Sequence, residues 1–162
     1  MQSAPNGLTS TQKGKVTEHL VASALVIASN GRLAPFVAFA DDHGIDLIVL
    51  DKVTRRTIAI QVKSAIKGDK RGTVQFDVRK ATHAHGTDGY LALVQLDPGT
   101  LGLGKSWLIP MAEVPNVAIV QTDKFALVPS LGDGSGDRYR RYRFDDARAL
   151  AAGVLRLLGD AA

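Results

Sequence analysis

The chain has 162 residues, 45% hydrophobic and 22% charged, with no cysteine and 20 Lys and Arg against 16 Asp and Glu, a formal net charge of +4. That length fits one globular domain able to bury roughly 70% of the surface its unfolded form exposes, and intrinsic disorder is not expected. The lack of cysteine excludes disulfides, thiolate catalysis and Cys-ligated zinc, and no run reaches the ~18 apolar residues that cross a bilayer.

In chain order, residues 1 to 10 (MQSAPNGLTS) are expected to be a flexible leader, and 11 to 162 a single domain. The segment up to Gln12 is polar, with no apolar core of a secretory signal, so a cytoplasmic protein is expected. Thr11 to Ser29 reads as a helix ended by Asn30-Gly31, both tolerant of the left-handed conformation that closes helices. Its second half is apolar on almost every side, which suits packing against a sheet. Leu33 to Ala40, Ile45 to Asp51 and Thr57 to Ser64 read as strands, and IDLIVLD is too apolar for a strand with one wet face. The short Asp51 to Arg56 connection makes the second and third an antiparallel hairpin. Lys67 to Gly72 is a polar loop, and Thr73 to Val78 extends the sheet. Arg79 to His85 is a short helix, and Tyr90 to Leu96 is a buried strand. Trp107 to Ile109, Val117 to Gln121 and Phe125 to Val128 read as further strands or edges. Phe144 to Leu158 is a closing amphipathic helix, capped by Asp145 and packed through Leu150, Val154, Leu157 and Leu158.

Charge is unevenly spread. Residues 52 to 80 carry nine basic side chains against two acids, whereas residues 97 to 162 balance at eight of each. Such a local excess attracts a polyanion, most simply nucleic acid, and it equally describes a solvated loop. Lys67, Lys70, Arg71, Arg79 and Lys80 are the candidate phosphate contacts within it. In the run Arg138 to Arg143 guanidinium groups alternate with tyrosines. That pattern suits phosphate contact and base stacking through Arg138, Arg140, Arg141 and the rings, and it also suits an edge strand with inward tyrosines.

Four polar residues sit where an α/β core would not choose them: Glu18 in the apolar helix, Asp46 inside IDLIVL, and Gln61 and Lys63 in IAIQVKS. Gln61 and Lys63, two apart on a strand, share a face. If Leu50 lies opposite Thr57, Asp46 lies opposite Gln61, whereas a one-residue slip sends Asp46 to the other face. A carboxylate, an amide oxygen and an ammonium at one point suit phosphodiester hydrolysis. Asp46 and Gln61 offer hard oxygen ligands for Mg²⁺, with Mn²⁺ as substitute; Glu18 is a direct or water-mediated ligand, and Lys63 orients water or steadies transition-state charge. Taken singly, each residue also has a structural reading, as an ion pair, a solvated helix residue or an incidental polar group.

The series K-G-K-V-T-E (Lys13 to Glu18) in a first helix, G-I-D (Gly44 to Asp46) opening a strand and Q-V-K (Gln61 to Lys63) closing the next resembles the PD-(D/E)XK nuclease superfamily. The Gln variant is most similar to the Mrr-type restriction endonucleases, with archaeal Holliday-junction resolvases next. The resemblance covers Thr11 to Leu96 and implies a restriction-endonuclease-like α-β-β-β-α-β core, with a mixed central sheet flanked by helices; the C-terminal strands and helix lie outside it. It also implies a metal-dependent endonuclease acting on DNA, of restriction or repair type. In it Asp46 is the metal-binding acid, Gln61 the second metal-site residue, Lys63 the catalytic lysine and Glu18 the helix acid. Asp42, four residues before Asp46, is the alternative acid; it suits either a partner behind the metal-binding residues or the D-D-H-G turn, and the turn is favoured.

His83 and His85 lack partners for a metal site, and G-L-G-K (Gly102 to Lys105) is not taken as a nucleotide site. The competing expectations are a catalytically silent nucleic-acid-binding module of the same fold and a protein-interaction module whose basic segment meets an acidic partner. A homodimer suits double-strand cutting.

Overall fold

The computed structural model describes residues 7–66, 70–97 and 99–159. Helix α1 (Ser10–Ala28) begins one residue before the expected start, because Thr9 and Gln12 form a reciprocal capping box: the Thr9 hydroxyl accepts from the Gln12 N–H at 3.1 Å and Gln12 Oε1 accepts from the Thr9 N–H at 2.9 Å. Thr9 and Ser10, expected in the leader, therefore belong to the helix and its cap, and residues 1–6 lie outside the described residues. Strands β1 (Leu33–Asp42), β2 (Ile45–Asp51) and β3 (Thr57–Ala65) follow as an antiparallel meander. After β4 (Phe76–Arg79) and the single-turn α2 (Lys80–His83), β5 (Tyr90–Asp97) returns parallel to β3, and β6 (Gly102–Pro110) runs antiparallel to β5. A 3-10 turn (Met111–Glu113), α3 (Val114–Val117), β7 (Ile119–Val120) and β8 (Lys124–Leu127) come next, then β9 (Arg143–Phe144) and α4 (Ala147–Gly159).

The main sheet is mixed, in the order β1-β2-β3-β5-β6-β9, and a small second sheet has the order β4-β8-β7. Period-two alternation sends each strand's residues to two cores. On one face Leu47, Val49, Ile60, Val62, Ala92 and Val94 meet Val21 and Leu25 of α1 and Leu150 and Val154 of α4. On the other, Leu91, Leu93, Trp107 and Ile109 meet Phe76, Val78, Phe125 and Leu127 of the second sheet. Both faces of β5 are covered, which explains its nearly unbroken apolar run.

Several expectations change. The Thr73 to Val78 segment supplies β4, which leaves the main sheet to pair with β8; alternation fixes which side chains are buried but not which sheet they join. Val117 to Gln121 is split: Val117 ends α3, whose Pro115 presets helical φ near the start, and only Ile119–Val120 is strand. The last helix starts at Ala147 rather than Phe144, and its cap is Asp146, whose Oδ1 accepts from the Ala149 N–H at 2.7 Å. Asp145 instead pairs with Arg143 at 2.8 Å, and Leu157 faces outward while Leu158 is buried. Among the described residues no helix is long and apolar enough to cross a membrane.

Candidate active site

The β2–β3 register is the one that brings Asp46 to Gln61 and Lys63. Leu50 pairs with Thr57 and Leu47 with Ile60, so the next position along sets Asp46 against Gln61. Instead of another backbone pair there, the Asp46 side chain enters the ladder: its Oδ2 accepts from the Val62 N–H at 2.6 Å. The carboxylate is thereby fixed at the point where the strands part. By alternation Asp46, Gln61 and Lys63 stand on the face opposite Leu47, Ile60 and Val62, which are buried against the helices.

Gly44 shapes the turn before Asp46. It has φ +73°, a left-handed conformation costly for residues with a Cβ, and a Cβ there would lie 2.8 Å from Gln61 Nε2 and overlap the Thr82 methyl. The glycine of G-I-D therefore lets the hairpin close over the Gln61 amide. Gln61 is 6% exposed, and its Oε1 has no hydrogen-bond partner among the described residues. A buried, unpaired amide oxygen costs about 1–3 kcal/mol and calls for an explanation.

Glu18 completes the group from α1. It is buried, held by Lys15 Nζ at 2.8 Å, and lines the same cleft of about 490 Å³ as Asp46, Gln61 and Lys63. The cleft lies at the open end of the β2–β3 hairpin, where α1 comes close to the sheet. Lys13 and Lys15 line it from the helix; Gln75 and Asp77 line it from the approach to β4.

Comparison with solved structures finds this arrangement of elements in a bacterial homing endonuclease, I-Ssp6803I, with TM-score 0.58 over 94% of this chain and 95% of that chain, at 19% identity. The chain has the restriction-endonuclease-like fold. A likeness to Archaeoglobus fulgidus Hjc, a Holliday junction resolvase from an archaeal hyperthermophile, has TM-score 0.40 and 13% identity over 82% of this chain and 96% of that one. No family model and no curated protein matches the chain.

In this restriction-endonuclease-like chain the basic segment is not one patch. Lys52, Arg55 and Arg56 lie at the closed end of the β2–β3 hairpin, about 20 Å along β3 from Lys63 at ~3.3 Å per residue. Lys70 and Arg71 are exposed in the loop leaving the open end; Lys67 lies outside the described residues, as does the Asp42 side chain. Arg79 lines a second polar cleft with Gly44, Gln61, Lys63, Asp77 and Lys124, and Lys80 lies over the Phe125 ring, 5.7 Å from its centre. Arg138, Arg140 and Arg141 line a separate shallow concavity with Asn116 and Val117. Lys63, Leu93, Trp107 and Arg143 form one row across the sheet, which sets this arginine turn roughly 14 Å from the Lys63 strand at about 4.8 Å per strand.

Only Arg143 of the Arg138 to Arg143 run enters an edge strand, β9; Arg140–Tyr142 is a 3-10 turn, although the tyrosines do point inward as the edge-strand reading expected. Its tyrosines cannot stack on bases: Tyr139 and Tyr142 are buried, and the Tyr139 hydroxyl donates to Val117 O at 2.9 Å. Burial in turn pushes both hydroxyls above their ordinary pKa. His83 Nε2 lies 2.8 Å from Met111 O, while His43 and His85 rings contact each other at 4.4 Å.

Asp77 was hidden in the sequence among basic neighbours, although its position between buried Phe76 and Val78 marks it as outward-facing. Burial would raise its pKa, but hydrogen bonds from Lys124 (2.8 Å) and Gln75 (3.0 Å), with the charges of Lys124 and Lys63, hold it below the usual carboxylate value. It is a second anion facing Lys63. Among the described residues no three His, Cys, Asp or Glu side chains converge as a ready metal cage; the oxygen-bearing side chains lining the cleft include Asp46, Glu18, Asp77 and the Gln61 amide.

Proposed function

We propose that the cleft hydrolyses DNA phosphodiester bonds with the help of Mg²⁺, Mn²⁺ substituting, as an endonuclease of restriction or repair type. The observation that carries the reading is the buried, unpaired Gln61 Oε1 beside the anchored Asp46 carboxylate. Fold maintenance gains nothing from leaving that oxygen unpaired, whereas a hard cation takes up such an oxygen together with one or two carboxylates and keeps several waters. Asp46, Gln61 and Glu18 would hold the ion; when bound it neutralises charge on the scissile phosphate and acidifies water. The fold shared with a homing endonuclease is in keeping with this chemistry.

The chain's own groups have separable tasks. The Val62 N–H holds Asp46 Oδ2 at 2.6 Å and so fixes the orientation of a carboxylate that lines the cleft. Lys63 brings an ammonium with three donors to the same cleft; it orients the attacking water and steadies the charge that grows on phosphate oxygens as the new P–O bond forms and the old one breaks. Lys13, Lys15, Lys70 and Arg71 supply cations for the DNA backbone on either side, and Arg79 extends them. The arginine turn at Arg138, Arg140 and Arg141 is the more distant phosphate contact.

Asp46→Asn tests this reading, because asparagine retains an acceptor for the Val62 N–H while removing the anionic ligand. Cleavage is expected to fall by at least a hundredfold with DNA affinity equal or higher; undiminished cleavage refutes the assignment. A second reading, a silent DNA-binding module, draws on the neutral Gln61 and the absence of a three-acid cluster among the described residues. It predicts salt-sensitive binding with no cleavage under any metal.

A further inference from the structure

We propose that β1 presents an aromatic platform, Phe36 and Phe39, on which bases next to the scissile phosphate stack, so that the substrate is DNA whose bases are already unstacked: single-stranded, bulged or branched. The inference rests on the endonuclease reading and adds a substrate class to it.

Register places the platform. Phe36 pairs with Ile48, two residues from Asp46, so Phe36 stands on the catalytic face of the sheet. It is 59% exposed. Beyond the Val37–Leu47 pair the ladder is broken until Asp42 meets Ile45; four residues of β1 (38–41) therefore face a single residue of β2, and that residue is Asp46. Bulges re-aim side chains and cluster beside active sites. The aromatic carried by this bulge, Phe39, is fully exposed. Neighbouring strands are about 4.8 Å apart, so a nucleotide with its phosphate at Asp46 has its base within reach of β1.

The surroundings favour a base over a protein partner. The segment Leu33 to Ala40 has no charged side chain and Asp41 and Asp42 close the strand, so β1 itself supplies rings rather than phosphate contacts. Pro35 deprives β1 of one N–H, which hinders its use as an edge for a further strand. Phosphate contacts are available across the same cleft from Lys13, Lys15 and Lys63, and a cationic groove beside aromatic rings is the usual arrangement for binding single strands. The tyrosines of the arginine turn, the other aromatic candidates, are buried and excluded.

The test is fluorescence anisotropy with a labelled 30-nucleotide oligo(dT) and a 30-base-pair duplex, without divalent metal, at several salt concentrations. Phe39→Ala and Phe36→Ala are expected to weaken oligo(dT) binding by roughly 5- to 100-fold each. Duplex binding should change less, and the slope of affinity against salt should stay the same because no phosphate contact is lost. Phe39→Trp should retain binding, whereas Phe39→Leu, which keeps apolar area but loses the ring, should weaken it like alanine. Unchanged binding by the alanine variants, or a fully active leucine variant, overturns the platform. So does a dimer in sedimentation that Phe39→Ala dissociates without altering DNA affinity, which would assign the patch to a second copy. Wild-type protein that binds neither DNA overturns the endonuclease reading itself.

Discussion

Replacing Gln61 with methionine, which is close in shape, should make the protein more stable and catalytically dead. Gln61 Oε1 is buried without a partner; leaving such an atom unpaired costs about 1–3 kcal/mol, and a thioether in its place recovers part of that. A gain of about 1–2 kcal/mol corresponds to a rise in melting temperature of roughly 2–8 °C for a domain of this size. The comparison is made by urea and thermal denaturation in EDTA, then repeated with Mg²⁺. A site that binds the ion only when folded is stabilised by about 2.7 kcal/mol at a hundred times its dissociation constant; wild type should show this shift and Gln61→Met should lose most of it. If methionine instead destabilises the metal-free protein by 1 kcal/mol or more, Gln61 Oε1 is serving the fold, and its reservation for a ligand is refuted.

Gly44→Ala should cost about 2–4 kcal/mol, from the left-handed φ and from overlap with Thr82 and Gln61, and cleavage should fall even at temperatures where the variant is folded; a fully active, equally stable variant would show that the turn does not position Gln61. Gln61→Glu should lower the Mg²⁺ concentration required for half-maximal cleavage by adding an anionic ligand, as measured by metal titration. The Asp51 carboxyl is held below the usual carboxylate range by its hydrogen bonds from Arg32 (2.7 and 2.8 Å), aided by Val53 and Thr54 and opposed by burial. A lowered folded-state pKa contributes stability that is complete well above the unfolded value of about 3.9 and is lost as pH falls through it toward the folded one. Urea midpoints at pH 7 and 3.5 should therefore drop for wild type and differ less for Asp51→Asn.

The helix and the first three strands were legible because their signals are local: the Asn30-Gly31 stop, the apolar strand runs and a connection too short for anything but a hairpin. The juxtaposition of the candidate residues followed, since strand parity leaves only one register that brings Asp46 to Gln61 and Lys63. What sequence could not assign was long-range. Nothing in TVQFDV says that β4 pairs with β8 rather than β3, and the arginine–tyrosine alternation looks the same in an edge strand as in a 3-10 turn whose rings dip into the core. The unpaired state of Gln61 Oε1 and the four-against-one bulge opposite Asp46 depend on where strands stop pairing, which residue types alone do not encode. Asp77 escaped because its charge counts against its basic neighbours in sequence but meets Lys63 and Lys124 only in three dimensions.

The most direct measurement is cleavage of supercoiled plasmid, linear duplex, single-stranded and four-way-junction DNA with Mg²⁺ or Mn²⁺, with Asp46→Ala and Lys63→Ala run in parallel. Metal-dependent cutting that disappears in both variants is the predicted result. Cutting that survives either substitution, or no cutting of any substrate by wild type, would contradict the assignment of this cleft as a nuclease centre.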